Sequence, residues 1–207
     1  MNQIFRMDGP LYKIFNIVYY LFITNMLWFI CSLPIFTAGA STTALFYVMG
    51  KVIRDEDVSP LKDFWKSFRG NFRQATVIWL ILLSGFIIIY TNVKYINIFG
   101  SLSNYILPLQ MAIALELFII TIYIFPLLSR FNMTIKNLFK MSFMIANRHF
   151  PSTLLCIAIL GLVFVLLYQF TGLFILVFVS LYALCSYYVI NRVFKKYTPE
   201  EPKSQLE

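Results

Sequence analysis

The run that decides the fold lies between Lys13 and Lys51: IFNIVYYLFITNMLWFICSLPIFTAGASTTALFYVMG, residues 14–50, 37 positions without a formal charge. One helix of that length would be about 55 Å long, against a bilayer hydrocarbon layer of about 30 Å. The run must therefore fold back on itself. Leu33-Pro34-Ile35-Phe36-Thr37-Ala38-Gly39 supplies the break. Proline cannot continue a helical hydrogen-bond ladder, and glycine relaxes the backbone limits. This predicts one span near 14–33 and a shorter, less apolar one near 36–53.

The same reading extends outward. Residues 74–93, between Arg73 and Lys94, are 20 uncharged positions, one crossing's worth. The stretch 95–129 holds a single charge, Glu116, and its dense apolar part from about 106 to 128 makes a fourth span. From His149 to Asn191 there are 43 positions without a formal charge if the histidine is neutral. A turn at Tyr168-Gln169-Phe170-Thr171-Gly172 divides them into spans near 151–168 and 173–192. The fold class is an all-α, polytopic helix bundle: a single membrane domain over residues 1–196 and a short polar tail, 197–207.

Composition agrees. The chain is 60% hydrophobic and only 13% charged, where a soluble domain carries roughly a quarter charged residues. The net charge of +8 invites a nucleic-acid reading, but the basic residues sit in short clusters that bracket uncharged runs, as membrane loops do. With six crossings, the favoured count, sixteen of the seventeen lysines and arginines fall on one side and Lys94 stands alone on the other. Both termini are then cytoplasmic. If residues 36–50 instead form a re-entrant or interfacial piece, five crossings place Arg6 and Lys13 outside as well. A cleaved signal peptide is disfavoured by the length of the first run and by Asp8 in its leader.

Two connectors read as amphipathic helices on the cytoplasmic side. Ser59-Pro60 is a helix start, and Leu61, Phe64, Trp65, Phe68 and Phe72 recur at helical spacing opposite Lys62, Lys66, Arg69 and Arg73. Such a helix either lies at the headgroup boundary or packs its aromatics on the bundle. Ile135-Lys136-Asn137-Leu138-Phe139-Lys140 echoes Leu61-Lys62-Asp63-Phe64-Trp65-Lys66. The echo divides the chain into two parallel repeats of span, interfacial helix and span, 36–93 and 106–168. Lys62, Trp65, Lys66, Arg69, Lys136 and Lys140 are thus candidates for contact with lipid headgroups or a partner.

Few groups offer chemistry. Glu116 is the one acid well inside a span, where ionisation is expensive; it is either a cation or proton site or a packing group bonded to Asn25, a threonine or Gln110. Gly39, Ser41, Thr42 and Thr43 belong to a run of small and hydroxylic residues suited to close helix contact or to a partner's helix. Cys31, Cys156 and Cys185 lack metal spacing, His149 has no evident catalytic partner, and no phosphate-binding glycine loop or hydrolase motif occurs. No catalytic residue, metal or cofactor is expected.

The run Pro34 through Phe46, then Lys51 and Arg54, then Phe64-Trp65-Lys66-Ser67-Phe68-Arg69-Gly70-Asn71-Phe72, resembles the YesL-like family of bacterial membrane proteins. Phe125-Pro126-Leu127-Leu128-Ser129-Arg130-Phe131 through Asn147-Arg148-His149-Phe150-Pro151 is similar to that family's second block. The resemblance implies an integral membrane protein of unassigned activity, often encoded beside sugar-uptake ABC transporters. It therefore implies a noncatalytic accessory or assembly factor whose partners are the bilayer and the membrane subunits of such an importer. The competing expectation is a small transporter or channel with a pathway near Glu116.

Overall fold

The structure is a computed structural model, and it describes residues 10–170 and 175–197. Every regular element among them is helical: α1 Pro10–Ser32, α2 Ala38–Ile53, α3 Pro60–Lys94, α4 Ser103–Arg130, α5 Ile135–Arg148, α6 Phe150–Gln169 and α7 Phe178–Phe194. Four of these, α1, α3, α4 and α6, are long and apolar enough to cross a membrane; α7 is a shorter apolar helix. All of the expected tail, 197–207, but Tyr197, and Thr171 and Gly172 of the expected turn, lie outside the described residues.

The break at Pro34 falls where the sequence places it. α1 stops at Ser32, a 3-10 turn covers Ile35–Thr37, and α2 starts at Ala38. Thr37 fastens the turn, donating from Oγ1 to the carbonyls of Cys31 (2.5 Å) and Pro34 (2.6 Å). α2 is the hub: it contacts α1, α3, α4 and α7, and ten of its sixteen residues are buried. It ends in a Schellman motif. The Glu56 amide donates to the Lys51 carbonyl, the Asp55 amide to that of Val52, and Asp55 takes the left-handed conformation at φ 57°.

α3 departs from expectation. The basic helix and the third span are one unbroken helix of 35 residues, about 52 Å long. Its first half runs antiparallel along α2, from the Lys51–Asp63 ion pair (2.8 Å) to Gly39, where an added Cβ would lie 2.6 Å from the Ala75 carbonyl oxygen and the Trp79 Cβ. That register buries Asp63, Phe64 and Ser67 and turns Leu61 (53% exposed) and Trp65 (42%) outward. The aromatic stripe is thus divided between the bundle and its surroundings.

In the second half of the chain the basic helix α5 again folds back along the preceding helix, α4. Here the path breaks at His149 before α6 begins. Pro151, the second residue of α6, has no N–H, and its ring needs the space where a preceding carbonyl would sit. The matching stretch of the first copy, Arg73-Gln74-Ala75, has no proline, and α3 runs on. Pro108 and Pro126 interrupt α4's ladder without ending it.

Polar contacts fasten the helices pairwise, as expected where lipid gives little hydrophobic drive. Asn25 of α1 donates to the Ile175 carbonyl (3.1 Å) and accepts from the Ser180 amide of α7 (3.3 Å), while the Ser180 hydroxyl donates to the Leu21 carbonyl (2.8 Å). Trp79 Nε1 donates to the Ile35 carbonyl at 2.8 Å. Beyond Trp79, α3 and α4 extend past α2 as a hairpin. Between residues 83 and 118, none of the side chains described is buried.

Candidate functional site

Contacts gather the basic connectors at one end of the molecule. Arg54, just past α2, donates to the Tyr187 hydroxyl of α7 (2.7 Å) and pairs with Glu56. Gly50 makes this approach possible, since a Cβ there would lie 2.8 Å from the Tyr187 ring. Arg130, at the end of α4, donates to Asn191 Oδ1 (2.6 Å) and lies over the rings of Phe131 and Phe194. The hydrogen bond from Arg54 holds the Glu56 carboxyl below its ordinary range. His149, between α5 and α6, meets the Tyr197 hydroxyl at 3.0 Å; burial, then the cations Lys196 and Arg148, push its pKa down.

On this end, α1 and the α2–α3 loop enclose a groove. One section, of about 280 Å³, is lined by Lys13 and by Asp55, Glu56 and Asp57; the adjoining section, about 340 Å³, by Tyr19, Ser59, Leu61 and Lys62. Tyr12, Asn16, Tyr20 and Val58 line both. These residues did not stand out in the sequence. The signal was present in Tyr12, Asn16, Tyr19 and Tyr20 at i, i+4, i+7 and i+8, one face of a helix. Its partner loop, Asp55-Glu56-Asp57, could not be assigned to that face without the fold.

The sequence-derived candidates are not brought together. Glu116 is half-buried and accepts a hydrogen bond from Asn147 Nδ2 (2.9 Å) at the far end of α5. The expected partners are engaged elsewhere or are absent: Asn25 serves α7, and the buried Gln110 Oε1 has no partner among the described residues. Glu116 lines none of the grooves just described. Gly39 sits at the closest approach of α2 to α3. Thr42 accepts from Trp28 Nε1 of α1 (3.1 Å), whereas Ser41 and Thr43 bond carbonyls of their own helix. Lys62, Lys66, Arg69, Lys136 and Lys140 are exposed, with Arg69 lying over the Trp65 ring at 5.6 Å. No grouping of three or more His, Cys, Asp or Glu suited to a metal occurs among the described residues.

The similarity to known proteins includes the α1–α2–α3 unit. A family described as "Protein of unknown function, DUF624" matches residues 21–93, from the second half of α1 to the end of α3. The uncharacterized protein YteU of Bacillus subtilis (strain 168) is 30% identical over 181 residues, covering 84% of this chain and 80% of that protein. The chain belongs to the DUF624 family. No solved structure matches it. The segment by which DUF624 is matched contains the Pro34 break, the tight α2–α3 register at Gly39 and the loop that forms one wall of the groove.

Proposed function

We propose that this DUF624 protein is a six-crossing, noncatalytic accessory or assembly factor of the bacterial plasma membrane that associates with the membrane subunits of a carbohydrate-uptake ABC transporter. The observation that carries the non-conducting part is the centre of the bundle. A pathway would pass there, and the place is filled by α2, whose Ala40, Ser41, Ala44, Leu45, Val48 and Met49 are fully buried. Glu116 is half-buried and hydrogen-bonded to Asn147. The importer as partner rests on the family resemblance, and the unburied α3–α4 hairpin, 83–118, offers the surface for it.

Two observations support six crossings although α2 and α7 are short. With α1, α3, α4 and α6 alone as spans, the lysines and arginines would divide ten to seven between the two faces whichever way the chain is inserted, against sixteen to one with six crossings. The contacts Lys51–Asp63, Arg54–Tyr187 and Arg130–Asn191 also bring the segments that follow α2 and α4 against the start of α3 and the end of α7, although the basic half of α3 lies beside α2 and not beyond its end.

Affinity purification of the tagged full chain in mild detergent, from sugar-induced cells, tests the reading. Importer subunits are expected in the eluate; their absence, with the protein folded and in the membrane fraction, counts against the accessory role. Solute flux in liposomes that is abolished by Glu116→Gln would replace it with transport.

A further inference from the structure

The groove between α1 and the α2–α3 loop has opposite chemistry at its two ends. At the first end stand three carboxylates and one lysine. Glu56 is engaged by Arg54, whereas Asp55 and Asp57 have no ion-pair or hydrogen-bond partner among the described residues, and Lys13 balances only one of them. Among the described residues that line this end, carboxylates outnumber cations three to one. At the other end the one charged residue is Lys62, exposed, beside Ser59 and the Tyr19 ring. Between them the floor is aromatic and hydrogen-bonding: Tyr12, Asn16 and Tyr20.

An ammonium fits the first end, where carboxylates and tyrosine faces both favour a cation. A phosphate fits the second, where a lysine and hydroxyl groups converge. Leu61, which lines the second section, and Phe15, Val18 and Phe22 on α1 are exposed apolar side chains. Tyrosines near such side chains mark the level of the headgroups. A free zwitterion would have no use for those apolar side chains, and an anionic lipid would leave Asp55 and Asp57 unbalanced.

We propose that the groove binds the head group of a zwitterionic aminophospholipid, phosphatidylethanolamine. Its primary ammonium lies between Asp55 and Asp57, its phosphate at Lys62 and Ser59, and its acyl chains run along the outer face of α1. On the six-crossing arrangement this is an inner-leaflet site. It differs from diffuse attraction of the basic helices to anionic lipid, because it selects against net negative charge.

Native mass spectrometry of the delipidated full chain, titrated with phosphatidylethanolamine, phosphatidylcholine and phosphatidylglycerol of identical chains, tests it. The ethanolamine lipid should bind about tenfold more tightly than either of the others. A quaternary ammonium cannot donate hydrogen bonds to the two aspartates, and glycerol offers no charge. Asp55→Asn with Asp57→Asn, in which asparagine still tolerates the left-handed backbone at 55, should erase the preference. Asp57→Asn alone, away from that strained position, should reduce it. Lys62→Gln should weaken all three lipids alike, and Lys140→Gln none. Equal binding of the three lipids by the unaltered chain, or a preference that survives the aspartate changes in protein of normal helicity, overturns the proposal. So does displacement of the lipid by soluble phosphoethanolamine at equal concentration, which would assign the groove to a free solute.

Discussion

Gly39 and Gly70 show how little a residue's identity says until its neighbours are known. Both are helical glycines in the segment matched by the family, and each should cost its helix up to about 1 kcal/mol relative to alanine. A Cβ on Gly39 would collide with the backbone of α3 at Ala75, which cannot swing aside, whereas a Cβ on Gly70 meets nothing within 4 Å. Gly39→Ala is therefore expected to destabilise the protein by about 1–3 kcal/mol. Gly70→Ala is expected to stabilise it by up to about 1 kcal/mol. Thermal unfolding of the two variants in one detergent checks the opposite signs; equal shifts would mean that the α2–α3 contact is not as close as described. The sequence identified Gly39 as a packing candidate from its small neighbours, but could not tell it from Ser41 or Thr43, whose hydroxyls bond their own helix.

At the level of elements, one proline separates the two halves of the chain. Where α6 begins at Phe150, the α5 carbonyl of Ala146 loses its helical donor, and Thr153 Oγ1 takes over at 2.9 Å while also meeting the Tyr123 hydroxyl of α4 at 3.0 Å. Thr153 and Tyr123 are fully buried, so nothing else is placed to serve these groups. Thr153→Val, similar in shape without the hydroxyl, should cost about 1–3 kcal/mol by leaving both partners unsatisfied. Tyr123→Phe should cost less, because the Thr153–Ala146 bond remains. Unfolding of the single and double variants measures this; simple additivity would show that the three groups do not act as a unit. The sequence revealed both basic helices and their echo. It did not reveal that the first continues as a span while the second stops, because that turns on Pro151 and on the α4 side chains beneath it.

For the whole molecule, the decisive property is that the positively charged connectors share an end. Cysteines replacing Lys62 or Lys136 should be protected from an impermeant thiol reagent in intact cells, and one replacing Lys94 should be labelled. The inverse pattern would remove six crossings and, with them, the inner-leaflet assignment of the groove. The structure adds that the helices are not level. α2 lies beside the basic half of α3, and the α3–α4 hairpin projects beyond it with no buried side chain described from 83 to 118. A surface of that kind is satisfied by lipid or by a partner's helices, and the co-purification experiment distinguishes the two.

The sequence by itself determined the helical class, the span-length helices α1, α3, α4 and α6 to within a few residues apart from the basic extension of α3, the fold-back at Pro34, and the clustering of charge. All of these follow from chain-local quantities: uncharged run length against bilayer thickness, proline's missing donor, and the placement of lysine and arginine. Only the tertiary structure decided that α2 fills the middle, that Glu116 is bonded to Asn147, and that tyrosines of α1 face aspartates from a loop more than thirty residues away. Those outcomes depend on which helix faces which, and at what register. Packing between distant segments sets these, and no periodicity within a single segment encodes them.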